Sequence, residues 1–193
     1  MATERDTEDR RVRKTKKQLR SALTTLLLEK DIGRITVRDV ADLADVNRGT
    51  FYAHYNDVYD LLHQLEDDLL ARLDEVGSRH DARSFDGKNF TYLIDIFKLA
   101  GEYSDIFYTL YCRSGDSEFP DKIFNRLKYQ YLFEFLTIYA GGESDKLDYC
   151  ASAIVSAMCT LAKVWIENGM RETPEELAQM GGDFILHGMQ MMK

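Results

Sequence analysis

The chain is poor in the residues that staple or interrupt a fold. Its 193 residues include three cysteines, Cys112, Cys150 and Cys159, and no CxxC pair. An odd number set in apolar helical surroundings excludes a disulfide scaffold and reads as reduced, buried thiols. There are two prolines, Pro120 and Pro174, so helices can run long without a forced break. No stretch alternates apolar and polar residues with a period of two, and no internal repeat is present, which leaves no strand pattern. The four histidines, His54, His63, His80 and His187, are scattered without metal-ligand spacing. There is no GxSxG elbow, P-loop, dinucleotide-binding glycine fingerprint or HExxH, so no enzyme and no cofactor is expected. The N-terminus is charged throughout and lacks the apolar core of a signal peptide. The one long apolar stretch, Cys150 to Ile166, is at the short limit for a bilayer and contains Ser152, Ser156, Thr160 and Lys163. It reads as a core helix rather than a membrane span. These absences together point to a cytoplasmic, all-α protein.

Positive charge is also scarce overall, with a net charge of -8. Its distribution is uneven. Residues 1–60 hold 12 basic and 11 acidic residues, a net of +1, whereas the rest hold 13 basic and 22 acidic, a net of -9. Residues 10–20 contain Arg10, Arg11, Arg13, Lys14, Lys16, Lys17 and Arg20 and no acid. A local basic footprint of this kind suits phosphate contacts even in an acidic chain.

What is present centres on Thr36 to Tyr55, TVRDVADLADVNRGTFYAHY. Thr36 is a helix N-cap, and Asp39 three residues on partly mimics a capping box. Val37, Val40, Ala41 and Ala44 give the short helix one apolar face. Asp45 tolerates the left-handed conformation a tight turn needs, and Val46 plugs the corner. Asn47 caps a second helix running to about His54, with Phe51 turned inward. Two short helices about a buried corner make a helix-turn-helix, whose second helix enters the DNA major groove. Arg48, Gly49, Thr50, Tyr52 and His54 are left outside. They supply a guanidinium fork, hydroxyls and a close backbone approach to nucleic acid. Lys14 to Lys30, with Leu19, Leu23, Leu26 and Leu27 on one face, completes a three-helix head.

GTFYAHY after such a helix, followed by NDVYDLL, resembles the recognition helix and fourth-helix start of the TetR/AcrR family of regulators. The resemblance covers roughly residues 14 to 65. Asp45 stands where that family usually has glycine, and Val58 where it usually has a phosphate-binding lysine. WIENGMRETPEEL resembles the C-terminal half of a subgroup that includes the dihydroxyacetone kinase regulator. The resemblance implies a homodimer acting on double-stranded DNA at a palindromic operator, most often as a repressor. It implies DNA contacts from Lys14, Lys17, Thr36, Arg48, Gly49, Thr50, Tyr52, His54 and Tyr55.

About nine helices are expected, with a DNA-binding domain over residues 1–56 and a dimerisation and effector domain over 57–193. Residues 1–13 lack apolar periodicity and read as a mobile arm. The fourth helix, Asp57 to Val76, carries an apolar stripe too long for the head alone. Further helices are expected from Phe90 to Glu102, Ser104 to Cys112, Pro120 to Ala140, Ser144 or Asp145 to Asn168, and Thr173 onward. Gly141-Gly142 and Gly169 act as stops.

Half of the 22 aromatic residues fall between Tyr103 and Tyr139. They suit either plain core packing or a cavity for a small apolar effector with a hydrogen-bonding group. The candidates for such a site are Tyr103, Phe107, Tyr108, Tyr111, Tyr131, Met158 and Trp165. Small residues recur on the last two helices: Ser152, Ser156 and Thr160, then Ala178, Gly181, Gly182, Ile185 and Gly188. Glycine costs a helix roughly 1 kcal/mol relative to alanine, so close approach of another helix is implied. The family resemblance assigns that approach to a dimer interface. The competing readings are a helical interaction module, a TetR-like co-activator without a small-molecule ligand, and a ligand-binding enzyme.

Overall fold

The computed structural model describes residues 4–85, 90–113, 118–139 and 144–190, and among these there are helices and no strand. The chain divides into two compact units, Met1–Asp68 and Leu69–Lys193. Gly87, Gly141-Gly142 and the centre of the turn at 113–120 lie outside the described residues. So do the side chains of Cys112, Ser144 and Asp145, and the surroundings of Gly188.

The first unit is built from α1 (Glu4–Glu29), α2 (Val37–Leu43), α3 (Arg48–Tyr52) and the start of α4 (Val58–Ser78). α1 begins at Glu4, so residues 4–13 are helical rather than an irregular arm. The sequence sets Asp6 four residues before Arg10 and Asp9 four before Arg13, with acids nearest the N-terminus. That order favours a helix without any apolar period. Leu19, Leu23, Val40, Phe51 and Leu61 are completely buried and define one core. Burying each such side chain contributes about 1.5–3 kcal/mol.

Local chemistry fixes the corner between α2 and α3. Asp45 adopts φ 52, so aspartate fills the left-handed position without glycine. Val46 packs on the core, and the Asn47 side chain accepts from the Gly49 amide at 2.8 Å. The capping box is complete. The Asp39 amide donates to Thr36 Oγ1 at 3.2 Å, and the Thr36 amide donates to Asp39 Oδ2 at 2.9 Å. Lys30 Nζ lies 2.9 Å from the same carboxylate oxygen. The Thr36 backbone bond, then the bond from Lys30, hold the Asp39 carboxyl down to about 2, from an ordinary 3.8. Because the folded value is the lower one, this stabilisation is present above about pH 4 and is lost as the pH falls toward 2. Asp39→Asn is therefore expected to lower the urea midpoint at neutral pH. The gap to wild type should close between about pH 4 and 2, followed by circular dichroism.

The second unit contains the rest of α4, then α5 (Thr91–Glu102), α6 (Ser104–Phe107), α7 (Phe119–Leu127), α8 (Phe133–Tyr139), α9 (Ser144–Glu167) and α10 (Pro174–Gln190). α6 continues as a π-helical stretch, Tyr108–Arg113, and α7 joins α8 through another, Lys128–Leu132. Counted as continuous rods, nine helices are described. Its core includes Leu132, Phe135, Leu136, Leu147, Ala151, Ile154, Val155 and Ile185. Gly169 ends α9 with φ 78. Thr173 opens α10 with a second capping box, its amide 2.7 Å from Glu176 Oε2 and its hydroxyl 3.2 Å from the Glu176 amide.

Candidate nucleic-acid interface and body cavity

α3 is only five residues long, and its divided character positions the interface. Phe51 anchors it in the core, while Arg48 and Gly49 are exposed and Tyr52 is 59 % exposed. Thr50 and His54 are half-buried at the edge of the same surface. Lys14 and Lys17 are exposed on α1. Thr36 is exposed as well. Its hydroxyl is engaged with Asp39 in the cap. Tyr55 does not belong with them. It is 2 % exposed and packs 5.7 Å from Phe51, ring centre to ring centre, with Lys16 Nζ 5.9 Å above its ring. Four residues separate Tyr55 from Phe51, so both fall on the inward face. Val58 is likewise buried in the head.

The second unit separates the seven candidate ligand residues. A cavity of about 60 Å³ lies between α5, the π stretch of the α7–α8 rod, α9 and α10. Tyr131 and Met158 line it. Tyr92 and Ile96 from α5, Ile154, Ile185, and the rings of Phe85 and Phe90 complete much of the wall. Tyr92 stacks on Tyr131 at 4.0 Å with 16° between the planes. Burial pushes the pKa of both phenols upward, so they stay neutral.

The other candidates have structural partners elsewhere. Trp165 Nε1 donates to the Glu172 carbonyl at 2.9 Å, and its ring covers Gly101. Tyr108 donates to Glu167 at 3.3 Å, and Phe107 stacks on Tyr111 at 5.0 Å. Tyr103 borders a separate open groove of about 290 Å³ with Arg72, Glu75, Arg79, Asp95 and Lys98. Phe90 and Tyr92 were missed because they precede the aromatic-rich segment. The signal for them is the apolar spacing of FTYLIDIF itself.

The rod formed by α7, the π stretch and α8 also ties the cavity wall to the latter half of α4. Arg126 Nη1 donates to both Asp74 carboxylate oxygens at 2.8 and 2.9 Å, and Gln130 Nε2 reaches Asp74 Oδ1 at 3.2 Å. A Cβ on Gly77 would lie 2.4 Å from Gln130 Cδ, so α4 is bare where Gln130 crosses it.

The small-residue pattern on α10 requires a correction. Ala178 and Ile185 are buried within the chain. A Cβ at Gly181 would stand 2.7 Å from Met158 Sδ, and one at Gly182 would stand 2.2 Å from the Phe90 ring. These glycines admit helices of the same chain, so Ala178, Gly181, Gly182 and Ile185 leave the candidate dimer face. Ser152 is half-buried, its hydroxyl bonded to the Asp148 carbonyl at 2.8 Å. What remains exposed is another stripe: Tyr149, Ala153, Ser156, Thr160 and Val164 on α9, with Met180 and Phe184 on α10. By length and composition Lys146–Glu167 is apolar enough to cross a membrane. Its two-sided character explains that, since one face is core and the other is this stripe.

Comparison with known proteins agrees with this architecture. Residues 19–65 match the model of the tetR family of bacterial regulatory proteins, and residues 89–187 match that of a transcriptional regulator C-terminal region. A TetR transcriptional regulator from Streptococcus agalactiae 2603V is 28 % identical with a TM-score of 0.62. The alignment covers 93 % of this chain and 97 % of that one. The dihydroxyacetone kinase operon activator DhaS shares the fold at 14 % identity and a TM-score of 0.58, over 92 % and 97 % of the two chains. The uncharacterized HTH-type transcriptional regulator YxbF of Bacillus subtilis (strain 168) is 35 % identical over 52 residues. That match spans 27 % of this chain and 14 % of YxbF. The head is a DNA-binding domain, and the chain belongs to the TetR family of transcriptional regulators.

Proposed function

We propose that the chain represses transcription as a cytoplasmic homodimer on a palindromic operator, under the control of a small apolar effector. The division into residues 1–56 for DNA and 57–193 for dimerisation and effector binding is part of this reading. The carrying observation is the exposure of Arg48, Gly49 and Tyr52 on a helix anchored from behind by Phe51. A helix-turn-helix serving only as a packing unit has no use for that set. Lys14, Lys17, Thr36, Thr50 and His54 complete the proposed DNA surface, and Tyr55 supports it from the core. The exposed stripe of α9 and α10 supports dimerisation, with Ser156, Thr160 and Phe184 on it. A two-fold dimer then presents its reading helices about 34–36 Å apart, one turn of DNA, or at a multiple of that spacing.

Control by a protein partner instead of a small molecule has one observation in its favour, the modest volume of the cavity. Ligand pockets are usually about 300–1,000 Å³. The bonds from Arg126 and Gln130 to Asp74 favour the effector reading, because they link the cavity wall to α4. About 3 kcal/mol of differential binding between two head spacings changes operator affinity roughly a hundredfold.

The DNA surface is tested by titration at several salt concentrations. Thr50→Ala and Tyr52→Ala are each expected to cost about 1–3 kcal/mol of specific binding. Deleting residues 1–13 is expected to weaken binding to every sequence and flatten the salt slope. Equal binding by wild type and both alanine variants would remove α3 from the interface.

A further inference from the structure

We infer that the body cavity takes an uncharged apolar molecule whose single hydrogen-bond acceptor is met by the Tyr92 hydroxyl. The inference rests on the effector reading above and names the ligand class for that site. Tyr92 is 6 % exposed, and its hydroxyl has no hydrogen-bond partner among the described residues. It stands on the cavity wall, stacked on Tyr131. A buried O–H without a partner destabilises a fold, whereas phenylalanine would fill the same ring position without that cost. Phe85, Phe90 and Phe97 fill neighbouring positions in that manner. The phenol is therefore a donor awaiting an acceptor.

The remaining wall decides the charge of the ligand. Among the described residues no lysine, arginine or acid lines the cavity, so a carboxylate or phosphate placed there would be buried without a partner from them. His80, whose ring centre lies 5.7 Å from that of Tyr92, is engaged with Asp95 at 2.9 Å. The cavity is also tight. An engineered apolar cavity of about 150 Å³ holds benzene, so an occupant of that size must displace a wall ring. Phe90 is suited to yield, because it is half-buried and rests on the bare backbone of Gly182.

Three probes of similar size separate the possibilities: acetophenone, isopropylbenzene and benzoate. Binding to the full-length wild type and to Tyr92→Phe is measured by ligand-observed NMR, without DNA. Acetophenone is expected to bind the variant about tenfold more weakly than wild type, the size of one lost hydrogen bond. Isopropylbenzene should bind both proteins equally, and benzoate neither. Equal affinity of acetophenone for both proteins, binding of benzoate at this site, or no binding by any probe overturns the inference. Each of those results leaves the DNA-binding reading intact, because operator titration is a separate measurement.

Discussion

Replacing Gly182 with leucine is expected to cost roughly 3 kcal/mol of folding stability through overpacking inside one chain. The reason is the 2.2 Å separation between a Cβ built at Gly182 and the Phe90 ring. Three ring atoms meet the added carbon at once, so Phe90 must leave its rotamer or α5 and α10 must separate. Gly181→Ala should be milder, since the obstruction there is the flexible end of Met158. Urea unfolding at fixed protein concentration checks both, because dimerisation makes midpoints depend on concentration. Adding Phe90→Ala to Gly182→Leu should restore part of the loss by removing the obstruction. A Gly182→Leu protein of normal stability that no longer dimerised would return Gly182 to the dimer interface.

Introducing Met180→Glu and Phe184→Glu together should turn the proposed dimer into a folded monomer. These side chains are 55 % and 56 % exposed within one chain, so neither change disturbs the core. In the two-fold dimer they place four carboxylates in an apolar seam. Burying such charges without partners costs several kcal/mol, enough to weaken association about a thousandfold. Sedimentation at micromolar concentration should give a two-chain mass for wild type and a one-chain mass for the variant, with unchanged helical circular dichroism. The variant should also lose tight operator binding, since one head alone makes half the contacts. A variant that remained dimeric would move the interface elsewhere.

The head was legible because its determinants lie within a few residues of one another. Thr36 and Asp39 close a cap across three residues, Asp45 occupies the left-handed turn, Asn47 caps α3, and Phe51 faces inward. Tyr55 is the exception: the family resemblance places it on the DNA side, whereas its spacing from Phe51 puts it on the inward face. The start of α1 was hidden for a different reason: charge order favours that helix, and apolar period does not mark it. In the body Gly181 and Gly182 mark close approach of another helix. Their partners, Phe90 and Met158, come from other helices and cannot be read from spacing. The second apolar stripe of α10, Met180 and Phe184, was overshadowed by the glycine-bearing face beside it. Tyr92 acquires its significance only when α5 meets the π stretch holding Tyr131, a tertiary event without a local signature.

Selection of bound fragments from a random duplex-DNA pool by the full-length protein at moderate salt tests the central claim most directly. The expected product is a two-fold symmetric sequence, its half-sites centred about one helical turn or a multiple apart, with enrichment abolished by Thr50→Ala combined with Tyr52→Ala. Recovery of no preferred sequence, or of one enriched equally by the double variant, would contradict the assignment of α3 as the reading helix of a sequence-specific regulator.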